Sequence, residues 1–255
     1  MKIVIIGSGN VATVLGRRMG QSGHEIMQVF SRNGEHAVPL ADELGCPWSA
    51  EWTEISHAAE LYLVAISDDA LAGLGERLAL PGKLVVHTAG AISRNVLRGV
   101  TENYGVLYPL QSLRAAIRAI PEIPLLVDGN DPVTLERISD FARTISGQVQ
   151  VADDKTRLKL HLAGVIVNNF SNHLYALTAA FCRQEGIAFD LLLPLIGETA
   201  GRLAHTDPRD AQTGPAIRGD RATIGEHLKL LDNYKDIKEL YKLMTFQIQE
   251  LHKKD

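Results

Sequence analysis

Met1-Lys2-Ile3-Val4-Ile5-Ile6-Gly7-Ser8-Gly9-Asn10-Val11-Ala12 opens the chain. It is an apolar, β-branched run that leads straight into G-x-G-x-x-A. The run reads as a buried parallel strand. Gly7 allows the tight turn after it, and Gly9 has no side chain to block a pyrophosphate. Ala12 still lets helix and strand pack closely. Val11 to Met19 reads as the following helix, whose free N–H groups point at the phosphates. The expectation is a dinucleotide site, with Gly7, Ser8, Gly9, Asn10 and Val11 on the cofactor.

The chain has 255 residues, 45% of them hydrophobic, and a net charge of −4. Its mean hydropathy is zero. That length supports a sizeable core and two domains. A slightly acidic chain offers no basic field for nucleic acid or an anionic membrane. No apolar stretch reaches the roughly 18 residues of a membrane-spanning helix. The opening apolar run is too short for a signal peptide. Cys46 and Cys182 form no redox or metal motif, which points to a reducing cytoplasm. The nine histidines include no H-E-x-x-H, so no metal site is expected.

Strand and helix patterns alternate through the first half. Strands are expected at Glu25 to Phe30, Cys46 to Ser49, Leu61 to Ile66, Lys83 to His87 and Tyr104 to Tyr108. Two more, Pro124 to Val127 and Gln148 to Val151, flank a helix from Pro132 to Ile145. Ser67 or Asp68 reads as a helix cap. This alternation predicts a mostly parallel, doubly wound α/β sheet of Rossmann type. From Asp153 onward the patterns are helical: a long segment from about Lys155 to Glu185, one after Asp190, one from Thr223 to Leu231, and a last from Tyr234 to Leu251. Gly186 reads as a left-handed helix stop. His205 to Asp220 reads as an irregular Gly/Pro/Asp-rich stretch. The expected division is a Rossmann domain over 1–152 and an all-helical substrate and dimerisation domain over 153–255.

The second strand ends Val29-Phe30-Ser31-Arg32-Asn33. An NAD-type site places a carboxylate there to hold the ribose 2′-OH. This turn offers a hydroxyl and a guanidinium instead. Arg presents a planar fork suited to a 2′-phosphate, so NADP is expected in preference to NAD, with Ser31 and Arg32 at the phosphate. The other reading of Arg32 is a solvated loop cation. Ser67 and Thr88 close strands on the same edge of the sheet and join the cofactor set.

The long helix is apolar around most of its circumference, yet it carries Arg157, His161, Asn168 and Asn172. At about 100° per residue these lie within roughly 40° of one direction. Asn169 and His173 sit on a neighbouring line. Buried polar groups are costly unless paired, so the stripe faces a substrate pocket or polar partners across a helix interface. His161 is the candidate acid/base, and Asn169 or Asn172 would orient a substrate. A helix this apolar needs more partners than a small domain provides, so a homodimer is expected.

Gln212-Thr213-Gly214-Pro215-Ala216-Ile217-Arg218-Gly219-Asp220 precedes the next helix. Thr213 and Arg218 could hold a substrate anion there, or the stretch is a capping loop with an internal Arg218–Asp220 pair. Asp220 or Thr223 is the expected cap. Tyr108-Pro109-Leu110-Gln111-Ser112 follows a strand end on the ligand-binding edge. Gln111 or Ser112 could reach the nicotinamide side, or the segment is a plain turn. Tyr234-x-x-x-Lys238 has the spacing used by short-chain dehydrogenases, but it opens the final helix and reads as a solvated face.

These stretches together resemble a bacterial family that joins a Rossmann-like NADP-oxidoreductase domain to a helical domain of unknown function. The resemblance runs through Gly7 to Ala12, His87-Thr88-Ala89-Gly90, Tyr108-Pro109-Leu110-Gln111, His161 to Gly164, Asn168 to His173, and Gln212 to His227. The layout is similar, more distantly, to pyrroline-carboxylate reductase, deazaflavin-dependent NADP oxidoreductase, ketopantoate reductase and hydroxyisobutyrate dehydrogenase. In the first of these a Gly/Pro/Thr-rich loop before a late helix binds the substrate and the helical domain builds a dimer. Thr213 to Thr223 occupies that place here, with the charged Arg218 and Asp220 as departures. The hydroxyisobutyrate-type Lys-x-x-x-Asn is absent, because Ala163 follows Lys159 by four.

The resemblance and the residues together imply an NADP-dependent oxidoreductase that passes hydride between nicotinamide and a small carbonyl or imine substrate. His161, Asn169, Asn172, Thr213 and Arg218 form its catalytic set. The alternative is an NADP(H)-binding sensor without turnover, because no catalytic Lys, Tyr-Lys pair or Cys nucleophile is recognisable. A non-redox enzyme using another nucleotide is a third reading.

Overall fold

The computed structural model describes residues 1–253. Strand β1 (Lys2–Ile6) buries Ile3, Val4, Ile5 and Ile6 completely. Because side chains alternate along a strand, Ile3 and Ile5 enter one hydrophobic cluster and Val4 and Ile6 another, on the opposite face. A sheet buried on both faces explains the unbroken apolar run.

β1 pairs in parallel with β2 (Glu25–Phe30) on one side and β4 (Leu61–Val64) on the other. β3 (Trp48–Ser49), β5 (Leu84–His87), β6 (Asn103–Pro109), β7 (Leu125–Gly129) and β8 (Val149–Val151) complete the sheet, in the order β3-β2-β1-β4-β5-β6-β7-β8. The direction of strand progression reverses between β1 and β4. Open α/β sheets bind ligands at such a switch, beyond the carboxyl ends of the strands. β7 runs antiparallel to β6, with Gly105 opposite Gly129, and β8 returns parallel to β7. The connection over residues 110–124 contains no crossover helix, and a parallel return needs one. The sheet is therefore mostly, not wholly, parallel.

Helix α1 (Asn10–Gln21) packs Ala12, Leu15 and Met19 into the cluster of Ile3 and Ile5. Helices α2 (Gly34–Leu44) and α3 (Asp68–Leu71) follow β2 and β4. Ser67 takes the cap position of α3 without a side-chain bond, so the expected cap leaves its hydroxyl free. Asp131 caps α4 (Pro132–Ile145) by accepting from Val133 and Thr134 at 2.9 and 3.0 Å.

The segment expected as one long helix is three pieces: α5 (Asp154–Gly164), a π-helical turn over Val165–Phe170, and α6 (Ser171–Gln184). The π turn closes i→i+5 bonds, so the uniform 100° projection fails beyond Gly164. Arg157 and His161 lie on α5, Asn168 on the π turn and Asn172 on α6. The chain separates into two compact units, Met1–Asn169 and Phe170–Asp255. Thus α5 belongs with the sheet, although the change of sequence character falls near residue 152. Its attachment is visible in Arg157, which donates to the Ile92 carbonyl, and in His161, which bonds Tyr108.

The helical unit contains α6, α7 (Leu193–Arg202), α8 (Pro215–Arg218), α9 (Arg221–Leu230) and α10 (Lys235–Leu251). Pro215–Arg218 is thus a short helix inside the stretch expected to be irregular, held between Gly214 and Gly219 at positive φ. Gly186 does adopt the left-handed conformation. Asp220 is the cap of α9, accepting from Thr223 N–H at 3.0 Å. It makes no ion pair with Arg218 among the described residues. Tyr234 is half-buried rather than solvated: it stacks edge-on against Phe181 and donates to Glu185, while Lys238 pairs with Asp232. Neither large hydrophobic cluster contains a residue of this unit. Among the described residues no helix is long and apolar enough to cross a membrane.

Candidate functional site

The site begins at the turn after β1. Gly7 has φ +122°, and a Cβ there would lie 2.1 Å from the Ala65 carbonyl oxygen. Only glycine lets the chain pass this close to β4. The Gly7 N–H donates to the Phe30 carbonyl at 2.8 Å, which ties the turn to the end of β2. Gly9 stands at the cap position of α1 with no side-chain cap, and a Cβ built on it meets nothing within 4 Å. The first N–H groups of a twelve-residue helix therefore open onto bare space. A side-chain-free turn before an uncapped helix N-terminus fits a dinucleotide pyrophosphate.

Three clefts run on from this turn within the sheet unit. The first, about 750 Å³, is lined by Gly7, Ser8, Gly9, Ser31, Arg32 and Ser67, all six of them candidates from the sequence. Ser8 donates its hydroxyl to Ser31 at 2.8 Å. Arg32 is exposed and makes no hydrogen bond or ion pair among the described residues. His36 and Arg77 also reach this cleft. Sequence reasoning missed both. His36 stands in the first turn of α2, four residues after Arg32, a closeness in the chain that could have flagged it, whereas Arg77 comes from another turn and left no local signal.

The second cleft, about 300 Å³, shares Gly9, Ala65 and Ile66 with the first and continues past Asn10, Val11 and Thr88 to His161. Thr88 is buried, and its N–H donates to Val64 at 3.2 Å. The Asn10 side chain accepts from the Ala115 N–H at 2.9 Å, and Arg17 donates to the Ala115 carbonyl at 2.6 Å. Asn10 therefore commits its amide oxygen to the 110–124 loop and offers a ligand its backbone.

The third cleft, about 490 Å³, takes His161 on one side and Tyr108, Gln111, Ser112, Asn168 and Asn169 around it. Tyr108 Oη and His161 Nδ1 are hydrogen-bonded at 2.9 Å, with the rings edge to face. Gly90 is pressed against both rings: a Cβ on it would lie 2.7 Å from His161 Nδ1 and 3.1 Å from Tyr108 Cε2. Burial pushes the Tyr108 phenol up, and the Arg157 charge acts against that rise. Tyr108 was not among the sequence candidates. Its place at the carboxyl end of β6, just before Pro109, was the available signal. Asn168 and Asn169 lie exposed on the π turn, a helix irregularity common at functional sites. Asn172, Thr213 and Arg218 belong to the helical unit and are exposed there.

Residues 2–90 match the family described as NADP oxidoreductase, coenzyme F420-dependent, and residues 123–248 match a domain of unknown function, DUF2520. No curated protein matches the sequence. Among solved structures, a Bacteroides fragilis protein provisionally described as an NADP oxidoreductase is 38% identical, covers 98% of each chain and superposes with a TM-score of 0.90. The 1-pyrroline-5-carboxylate reductase of Streptococcus pyogenes is 18% identical over 98% of each chain, with a TM-score of 0.65. An imine reductase from Myxococcus stipitatus in complex with NADP+ is 17% identical over 98% of this chain and 93% of its own, with a TM-score of 0.63. These two show a shared fold. By its two family matches and its 38% identical relative, the chain belongs to the family that joins an NADP oxidoreductase domain to this domain of unknown function.

Proposed function

We propose that this protein is an NADP-dependent oxidoreductase that transfers hydride between nicotinamide and a small carbonyl or imine substrate. The observation that carries it is the run of clefts from the unpaired Arg32, past Gly9, to the Tyr108–His161 pair. Arg32, with His36 and Arg77 beside it, would hold the 2′-phosphate. Gly7, Gly9 and the first turn of α1 would receive the pyrophosphate. Thr88 and Gly90 would flank the nicotinamide, which supplies or accepts the hydride when bound. The hydrogen-bonded Tyr108 and His161 would move the proton that balances the hydride. Gln111, Ser112, Asn168 and Asn169 give the adjoining cleft uncharged hydrogen-bonding walls.

The helical unit has Cys182, Ala216 and Leu231 as its buried apolar side chains, while Phe170, Leu195, Leu230 and Phe246 are more than half exposed. A second copy of the chain would cover such a surface, which supports the homodimer.

The test is a melting comparison with NADPH, NADP+, NADH and NAD+, followed by NADPH oxidation against carbonyl and imine panels. A ligand at about 100 times its Kd adds about 2.7 kcal/mol. Stabilisation confined to the phosphorylated pair, with turnover lost in His161→Ala, is the expected result. No stabilisation by any of the four would end this reading.

A further inference from the structure

Arg157 is 1% exposed and the largest fully buried side chain of the molecule. It stands one helical turn before His161 on α5. Its Nη2 donates to the Ile92 carbonyl and to Asp154 at 2.8 Å, whereas Nε and Nη1 are buried with no partner among the described residues. Asp154 itself is partly exposed and also accepts from the Arg94 N–H. Ile92 lies two residues beyond Gly90, the residue pressed against His161 and Tyr108. The guanidinium is buried while its one carboxylate partner is 39% exposed, so solvent screens Asp154 more than Arg157 and the cation acts more strongly on its buried surroundings. Arg94 contributes little to that action, because Asp128 binds it at 2.6 and 2.7 Å.

We propose that Arg157 is a positioning residue: it pins α5 to the loop after Gly90, and its charge readies the Tyr108–His161 pair to move a proton. This rests on the reading of that pair as the proton device of the reaction. In the reducing direction a bound nicotinamide would supply the hydride, with its electron pair, to the substrate carbon. The Tyr108 O–H bond breaks and a new bond forms from that proton to the substrate oxygen or nitrogen. The nascent phenolate regains a proton from solvent, passed across its 2.9 Å bond to His161. The Arg157 cation stabilises the phenolate between those two transfers.

The other titratable groups around Arg157 agree with this. From β5, His87 is fully buried; burial and the Arg157 charge hold it at about 4, so it stays neutral. Arg157 is then the charge from α5 that acts on the Tyr108 phenol. With His87 neutral and Arg94 held by both oxygens of the buried Asp128, Arg157 is the cation that acts on the phenol among the described residues.

The experiment titrates the Tyr108 phenol by its phenolate absorbance, read as wild type minus Tyr108→Phe. Its readout needs no substrate. Arg157→Met should raise the midpoint by at least one pH unit, and Arg157→Lys should keep most of the wild-type value. An unmoved midpoint in folded Arg157→Met overturns the proposal. Should that variant fail to fold, Asp154→Asn decides: loss of the counter-charge should lower the midpoint, and no movement overturns the proposal. A moved midpoint in a protein that turns over no carbonyl or imine would leave the electrostatics standing and remove the proposed function. Turnover with an unmoved midpoint would do the reverse.

Discussion

The α-carbon of Gly90 faces the imidazole of His161 so closely that a Cβ there would lie 2.7 Å from Nδ1 and 2.8 Å from Cγ. The absence of a side chain at position 90 therefore permits the 2.9 Å bond between His161 and Tyr108. Gly90→Ala must push the ring aside. The expected result is NADPH affinity within about threefold of wild type, since the proposed contacts of Arg32 with the 2′-phosphate are untouched. Turnover should fall by at least about tenfold, the loss of roughly 1.4 kcal/mol of transition-state stabilisation. Equal losses in both would show that the added methyl acts on the nicotinamide it would flank rather than through the acid/base pair.

Gly7 and Gly9 should separate folding from binding. A Cβ at Gly7 meets the Ala65 carbonyl oxygen at 2.1 Å, and the backbone there has φ +122°. Gly7→Ala should cost about 3 kcal/mol or more and lower Tm by roughly 6–12 °C. A Cβ at Gly9 touches nothing within 4 Å. Gly9→Ala should melt within about 2 °C of wild type, yet bind NADPH at least about tenfold more weakly, because the methyl enters the space before α1. Calorimetry and a titration of NADPH fluorescence read the two effects.

Arg32 is an exposed cation of the first cleft with no partner among the described residues. Charge-assisted hydrogen bonds contribute about 1.5–3 kcal/mol. Arg32→Ala should therefore weaken NADPH roughly 10- to 100-fold and leave NADH almost unchanged. Parallel losses for both nucleotides would assign Arg32 to the adenosine rather than to its 2′-phosphate. Arg77→Ala should show the same selectivity on a smaller scale.

His87 predicts an acid limb in stability. It is fully buried, and burial together with the Arg157 charge lowers it from 6.5 to about 4. The unfolded chain then binds a proton more readily than the folded one between those values. Stability is fully present above about pH 6.5 and falls as pH drops toward 4. The contribution is on the order of 3 kcal/mol. His87→Asn, whose amide oxygen can still accept from the Ala89 N–H that now bonds Nδ1 at 3.1 Å, should flatten that limb in urea titrations at pH 7 and pH 5. An unchanged slope would place the acid sensitivity elsewhere.

The exposed apolar surface of the helical unit predicts a dimer at micromolar concentration by light scattering. A monomer under those conditions would contradict the homodimer and require another partner for Leu195, Leu230 and Phe246, which are 62, 68 and 55% exposed.

Much of the sheet unit is legible in the chain because local rules govern it. Apolar β-branched runs become two-faced strands, and the Glu25–Phe30 strand and Pro132–Ile145 helix agree with the sequence patterns residue for residue. The glycine turn is legible for the same reason: Gly7 must take a positive φ, and that requirement is written in one residue type. Helix interiors beyond Asp153 were less readable. Nothing in Val165–Phe170 announces a π turn, because α and π windings differ in hydrogen-bond register rather than in composition.

The sequence by itself determined the Rossmann sheet, the glycine turn after β1 and the cation at the end of β2, since strand periodicity, glycine conformation and a missing carboxylate are properties of neighbouring residues. Only the tertiary structure decided that Tyr108 meets His161, that Gly90 makes room for them, and that Arg77 reaches the cleft of Arg32. It also decided that Arg157, expected to face a substrate pocket or a helix interface, turns to the Ile92 carbonyl. Tyr108 and His161 are 53 positions apart, and no local pattern encodes a contact whose partners are brought together by the packing of α5 against the carboxyl edge of the sheet.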